Sequence, residues 1–519
     1  MASRFDVMTP IAGASDAPTR PKLSRALLSD PSWQPPSALV RPRADMLQLP
    51  ERAVQFGTGV FLRGFVEYFL DAANEQRFFN GRVVLVGSTD SGRDRAFTTQ
   101  DGLFTLQSVS ADDDAGELRV VSSVSRALSA SSGWHDVLAT ARQLEISVVF
   151  SNTTEAGFAL DAADISVAAI PKSFPAKLTR FLYERARAFG FDRKRGLVVV
   201  PCELLENNGD VLKGLVHAVC DRWQLEPEFR VWLNESVPFC NTLVDRIVPG
   251  APPAPEREKL EQKLGYSDDL MTVTETYRLF VIEGDATVRA RLPFADGDRG
   301  IVFANNIRAY RERKLRLLNG THTGLAALGL LAGVSTVDAV MRDDMLSVFA
   351  RELLLAAIAP VVEAPEAFAF GEDVLRRFAN PHVYHRLTDI ANQGTLKLRV
   401  RLLPIVQRYV VASRPIPRAL VVAMAAQLVL LHPQMEQLLV SNGAVRPTDD
   451  LGVLVRKHWE VAPTAVAGIT RILSDSSIWN EDLTYVPTLM ELVAETAGEM
   501  LVSGARSVLH TDAEVRSDP

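Results

Sequence analysis

The sequence predicts two folded regions of different class, an α/β domain followed by a mostly α-helical one. Three observations carry this. A short apolar run, "RAVQF" at 52–56, meets the glycine turn Gly57-Thr58-Gly59 and then a segment of helical periodicity. Further apolar runs with strand character recur at 82–87, 146–152 and 196–205, with helical stretches between them. Beyond about residue 300 the strand signals fade and apolar helical patterns follow one another. Strand, glycine turn, helix, strand is the opening of a Rossmann-type parallel sheet. The expected division is an irregular leader over 1–45, a Rossmann-type dinucleotide-binding domain over 46–300 and a helical substrate and catalytic domain over 301–519.

The elements follow in order. The leader is rich in Pro, Ser, Ala and Asp, with "SDPSWQPPS" at 29–37, and reads as a mostly irregular arm packed on the surface. "VFLRGFVEYFLDAANEQ" reads as one helix, with Phe61, Phe65, Phe69 and Leu70 on one side. "RVVLVG" at 82–87 is a second buried strand, and "LFTLQSVS" with "ELRVVSSV" forms an antiparallel pair across the acidic turn 111–116. "HDVLATAR" and "FPAKLTRFLYERARAF" are helical, "ISVVFSN" and "GLVVVPCELL" are strands, and "PGAPPAP" at 249–255 is a proline-rich loop. Four later stretches, beginning at Arg313, Asp343, Pro417 and Leu483, read as helices.

Composition excludes several classes of function. A chain of 519 residues, 47% hydrophobic and 23% charged, buries a large core and is neither disordered nor fibrous. A net charge of −7 argues against nonspecific binding to nucleic acid or anionic membrane. Cys202, Cys220 and Cys240 are too few for a disulfide framework and lack metal-ligand spacing, which fits a reducing compartment. The N-terminus has no apolar run suited to a signal peptide. The most apolar stretches, 324–333 and 419–432, fall short of the ~20 residues a membrane span needs. A cytoplasmic protein is expected, with no nucleic-acid or membrane partner and no metal. Monomer and dimer both remain open.

Three groupings carry chemistry. Gly57 and Gly59 sit where a dinucleotide fold needs a tight turn and close backbone approach to a pyrophosphate, although a third glycine at the standard spacing is replaced by Leu62. Lys314, Asn319 and His322 in "KLRLLNGTH" fall at about 0°, 140° and 80° on an α-helix and share one broad face. A lysine, an amide and an imidazole can stabilise an alkoxide and move a proton. The same residues also fit a solvated lysine, a helix-end asparagine and a core histidine. "SNTTEAG" and "PCELLENNGD" each follow a buried strand, where ligand crevices form, so Asn152, Glu155 and Asn208 are candidates alongside an ordinary polar turn. Past strand two, Asp90 suits a ribose hydroxyl, whereas Arg93 suits a 2′-phosphate.

Taken together, QFGTGVFLR (55–63), QDGLFTL (100–106), SNTTEAG (151–157), PCELLENNGD (201–210), TLVDRIVPG (242–250), YRERKLRLLNGTHT (310–323) and RFANP (377–381) resemble the mannitol dehydrogenase family of metal-independent polyol and sugar-acid dehydrogenases. The likeness runs in order from about 50 to 500 and is greatest to the uronate branch. It implies NAD as cofactor, held by Gly57, Gly59, Phe61, Arg63, Asp90, Asn152 and Glu155. It implies Lys314 as general acid and base, Asn208 and Asn319 holding the alkoxide, and His322 orienting the substrate. Asp245, Arg246, Arg377, Asn380, Lys397 and Arg401 would shape the pocket of a small sugar-acid substrate, with Arg377 the first choice for its carboxylate. Arg311 stands where some polyol enzymes of the family carry a glutamate. The implied reaction is reversible reduction of the 2-keto group of D-tagaturonate. Fructuronate or a polyol are the rival substrates, and a catalytically inactive nucleotide-binding sensor is the rival outside enzymes.

Overall fold

The structure, a computed structural model, describes residues 20–88, 93–111, 113–153, 155–364, 366–441 and 445–509, with the backbone alone at 93–94, 113–115 and 155–156. Five strands form a parallel sheet: β1 (Glu51–Phe56), β2 (Arg82–Gly87), β3 (Val124–Ser129), β4 (Val148–Ser151) and β5 (Val198–Pro201). Their order is β3-β2-β1-β4-β5, so strand order reverses between β1 and β4, the place where such sheets bind ligands. Phe239 bridges to Val199 and continues the order beyond β5.

Strands β2, β4 and β5 are buried along their whole length, as a parallel sheet covered on both faces requires. Alternate residues serve opposite cores. Val54, Phe56, Val149 and Val199 pack against helices Trp134–Ala141, Phe174–Ala188 and Asn208–Arg222. Ala53, Val83, Phe150 and Val200 face helix Val66–Glu75 with Phe280 and Phe294. The run "VSRALS" of β3 was not read as a strand from sequence. Apart from its first residue it is only half-buried, so it shows neither a continuous apolar run nor a clean alternation.

The single helix expected after the glycine turn is two helices, Val60–Arg63 and Val66–Glu75, broken at Gly64 and Phe65. A Cβ at Gly64 would lie 2.8 Å from the Val248 side chain. The Gly64 carbonyl accepts a hydrogen bond from Arg246 at 2.7 Å instead of one from the helix. A second sheet joins Leu39–Val40, Asp113–Val121, Phe104–Ser110 and Thr272–Glu275 in that order. Residues 20–45 are therefore tied to the body of the domain: Leu23, Leu27 and Leu39 are buried with Leu118, Tyr266 and Met271. A third sheet, Thr242–Asp245, Leu279–Glu283 and Ile301–Ala304, leads into the helices.

The helical region is built round Thr321–Leu331 and Arg418–Leu430. Every residue of the first and all from Ala419 in the second are buried. Leu489–Ser503 packs on the second of these. Among the described residues no single helix is long and apolar enough to cross a membrane. Two stretches expected to be plain α-helix wind as π-helix, Lys314–Gly320 and Glu352–Ile358.

Candidate active site

The first half of the site is the crevice at the β1/β4 reversal. Gly57 follows β1 with φ +118°, and a Cβ there would lie 2.9 Å from the Asn152 carbonyl oxygen. Only glycine fits both conditions. At Gly59 a Cβ would meet nothing within 4 Å, because the residue faces an open crevice of about 510 Å³ lined by Gly57, Thr58, Ser88, Asn152, Thr153 and Lys172. Asn152 is held by its amide on the Cys202 carbonyl at 2.8 Å. This backbone cradle fits the phosphates of a dinucleotide. Gly57→Ala and Gly59→Ala are expected to part company: the first loses roughly 1–3 kcal/mol of stability through strain. The second keeps its melting temperature but weakens dinucleotide binding, measured by fluorescence titration, because its methyl group fills ligand space.

Two expected cofactor residues turn elsewhere. Arg63 is buried, donating to Thr272 Oγ1 at 3.2 Å and the Thr58 carbonyl at 3.2 Å, so it braces the glycine turn from behind. Phe61 stacks on Phe65 with ring centroids 5.1 Å apart and does not line the crevice. Asp90 lies outside the described residues, and of Glu155 only the backbone is described, at the start of the short helix Glu155–Phe158.

The second half is a cavity of about 740 Å³ between the end of β5, strand Thr242–Asp245 and the helix that carries Lys314. Lys314, Asn319 and Arg401 line it together, with Glu203, Asn207 and Arg311. Lys314 Nζ donates to the Val244 carbonyl at 2.7 Å and lies 3.6 Å from Asp245 Oδ1. The π-turn brings the two round to the same cavity: its hydrogen bonds run from i to i+5 and it winds more loosely, so Lys314 and Asn319 lie closer in angle than the about 140° that an α-helix would set between them. Asn319 uses its backbone carbonyl to receive Thr323 and Arg401, and among the described residues its side-chain amide has no partner.

Glu203 is the functional candidate that the sequence reading missed. Its carboxylate receives the Thr153 amide at 3.0 Å and the Ser151 hydroxyl at 3.2 Å, joining the turns after β4 and β5 at the edge of the cavity. Burial pushes the carboxyl up to about 7. "CEL" after a strand carried a signal, but nothing local distinguished Glu203 from Glu206. Cys202 beside it is a buried, free thiol that burial holds firmly protonated, and it packs the core.

Several expected substrate contacts are corrected by their hydrogen bonds. Asn208 is 0% exposed. Its Nδ2 donates to the Pro201 and Glu203 carbonyls and to Thr242 Oγ1, at 3.0–3.2 Å. Its Oδ1 receives the Gly209 and Thr242 amides, both at 2.9 Å. No capacity is left for an alkoxide. Asn208 positions the strands beneath the cavity. Arg246 is buried on the Glu275 and Gly64 carbonyls, Ser108 and the face of Tyr68, away from the cavity. Asn380 fastens the helical region to the Val109 carbonyl at 3.2 Å. Arg377, 7% exposed, is bidentate to Asp245 at 2.9 and 3.2 Å and bidentate to Glu275 at 2.8 and 2.9 Å. Its guanidinium is committed to two carboxylates. Burial works against ionisation of Asp245, yet Arg377 and Lys314 hold its carboxyl below the usual range.

His322 is 6% exposed, stacked on Phe378 at 4.1 Å and edge-on to His385 at 5.0 Å. Burial first, then His385 and the nearby cations, hold it neutral, well below an ordinary imidazole. Lys397 donates to the Ile390 carbonyl at 2.8 Å, and Arg401 reaches the Asn319 carbonyl and Thr323 Oγ1 at 3.3 and 3.1 Å.

A glycine cradle at the reversal of a parallel sheet, with a lysine and an amide presented to an adjoining cavity by a helical domain, defines a two-domain oxidoreductase of the dehydrogenase class. The chain belongs to the mannitol dehydrogenase family: its residues 51–295 match the mannitol dehydrogenase Rossmann domain and residues 306–501 the mannitol dehydrogenase C-terminal domain. It is 39% identical to the altronate oxidoreductase of Halalkalibacterium halodurans over 89% of this chain and 93% of that protein. It is 37% identical to that of Yersinia pestis over 89% and 96%. Among solved structures, the fold is shared with D-sorbitol dehydrogenase in substrate-free form (21% identity, TM-score 0.77, covering 94% of this chain and 100% of that one). It is also shared with the Pseudomonas fluorescens mannitol 2-dehydrogenase ternary complex with NAD and D-mannitol (22%, TM-score 0.71, 96% and 100%).

Proposed function

We propose that this protein is an NAD-dependent tagaturonate reductase, interconverting D-tagaturonate and D-altronate. The observation that carries the chemistry is that Lys314 and Asn319, both on the π-turn, line one cavity, whose other wall, through Glu203, adjoins the glycine cradle. The substrate follows from the altronate oxidoreductases to which the chain is similar over most of its length. Residues 46–300 serve the cofactor, and 301–519 serve substrate and proton transfer. Gly57, Gly59 and Asn152, which line the crevice, would hold a nicotinamide cofactor, and that group would supply hydride to the keto carbon when bound. Negative charge then develops on the keto oxygen, where the Lys314 ammonium gives up its proton and the Asn319 amide donates a hydrogen bond. In the reverse direction Lys314 takes the hydroxyl proton. Asp245 and the Val244 carbonyl hold the ammonium in place. The three free, buried cysteines support action in the cytoplasm.

Absorbance of NADH and NADPH against tagaturonate, fructuronate and fructose tests the reading. The expected result is the highest kcat/KM with tagaturonate and NADH. Fructuronate or fructose as the better substrate replaces the assignment within the family, a better rate with NADPH reverses the cofactor, and no turnover with any ketone favours a sensor.

A further inference from the structure

With Arg377 neutralised by Asp245 and Glu275, the charge that receives an acid substrate must come from elsewhere, and one part of the molecule holds surplus positive charge. Helix Gly394–Arg401 carries Lys397 and Arg401 one turn apart. Both are at least half-buried, and both contact only neutral oxygens: Lys397 the Ile390 carbonyl, Arg401 the Asn319 carbonyl and the Thr323 hydroxyl. Among the described residues neither has a carboxylate within 4.0 Å, whereas Lys314, Arg311 and Arg316, which line the same cavity as Arg401, each do. A buried guanidinium without a counter-ion is costly unless something supplies one. Beside it lie two more orphans. His322 Nε2 and His385 Nδ1 are buried and have no hydrogen-bond partner, and their rings meet edge to face. Buried polar atoms without partners are uncommon and call for an explanation. Arg401 opens on the cavity that holds Lys314 and Asn319, so an acid whose ketone sits at Lys314 can reach it.

We propose that Arg401, with Lys397 and the His322–His385 pair, binds the carboxylate of the sugar-acid substrate, so that selection of an acid over an uncharged ketose resides on helix Gly394–Arg401. The fork of Arg401 keeps donors free after its contacts with Asn319 and Thr323, which suits a carboxylate. An imidazole with one nitrogen unengaged donates to the same anion or to the adjacent hydroxyl. The inference rests on the acid-substrate reading of the preceding section.

The test compares Arg401→Gln and Arg401→Lys with the unmodified protein, using tagaturonate and the uncharged ketose tagatose. Arg401→Gln is expected to raise KM for tagaturonate about 10- to 100-fold, the span of one charge-assisted hydrogen bond. The fall in kcat/KM is expected to be at least about tenfold greater for tagaturonate than for tagatose, and Arg401→Lys should recover part of that difference because it keeps the charge without the fork. Equal losses on both ketones, or none on tagaturonate, overturn the proposal. If Arg401→Gln does not fold, Lys397→Met is read the same way. If the unmodified protein reduces no keto-uronate, the functional reading fails by itself. Calorimetric binding of D-altronate to the NAD complex then decides the site: altronate binding that Arg401→Gln removes sustains it, and absence of altronate binding overturns it.

Discussion

Lys314→Ala is expected to lower kcat by ~10²–10⁴-fold, the usual contribution of a positioned acid–base group, with the fold retained. Of the groups that line the cavity, Lys314 is the cation on the same π-turn as the amide of Asn319. Among the described residues its ammonium meets the Val244 carbonyl and Asp245, which leaves a donor for the ketone oxygen. Removing it leaves the hydride step without a proton at the oxygen where charge develops. KM is expected to change less than kcat, since the proton is worth most in the transition state. Stopped-flow reduction of tagaturonate by NADH, with dinucleotide affinity measured separately, checks this. Near-normal single-turnover rates in a folded Lys314→Ala protein would remove Lys314 from the chemistry.

Arg377→Gln is expected to act on stability before anything else. Two carboxylates, Asp245 at 3% and Glu275 at 2% exposure, share this one guanidinium, and both belong to the region before residue 300 while Arg377 comes from the helical region. Removing the cation leaves two buried carboxylates close together, with Lys314 near Asp245 and Arg246 near Glu275. Breaking a buried pair in this way typically costs about 3–5 kcal/mol. Urea unfolding measures it. Turnover is expected to fall for charged and uncharged ketones alike, because Asp245 also positions Lys314. A double-mutant cycle with Asp245→Asn should show strong coupling. A loss confined to tagaturonate, at unchanged stability, would return Arg377 to the substrate carboxylate and count against Arg401.

The contrast between Arg377 and Arg401 shows why site residues were harder to read than the fold. Both are arginines on helices near Lys314, and each is plausible by motif. What separates them is the company each keeps. Arg377 meets Asp245, 132 positions away in sequence, and Glu275, 102 positions away. Asn208 and Asn319 divide in the same manner. One is closed off by Thr242, brought to it by a neighbouring strand, and the other is left open on a helix. No local pattern encodes such pairings, because a side chain's remaining hydrogen-bond capacity depends on neighbours supplied by the whole fold.

The sequence by itself determined the architecture where period and turn chemistry are local: the strands at 52–56, 82–87, 148–151 and 198–201, the glycine turn at 57–59, and the apolar helices past 300. It also determined the Lys314-Asn319-Gly320 segment as special. Only the tertiary structure decided how that segment winds. A π-turn is unfavourable in isolation, and here it is seated among Leu402 and Ile358 of neighbouring helices, which press close to Gly320. The structure likewise decided that the helix after the glycine turn breaks at Gly64, where Val248 and Arg246 leave no room and no free carbonyl. In both places the outcome turns on contacts between segments far apart in the chain, whose energies appear only once those segments have met.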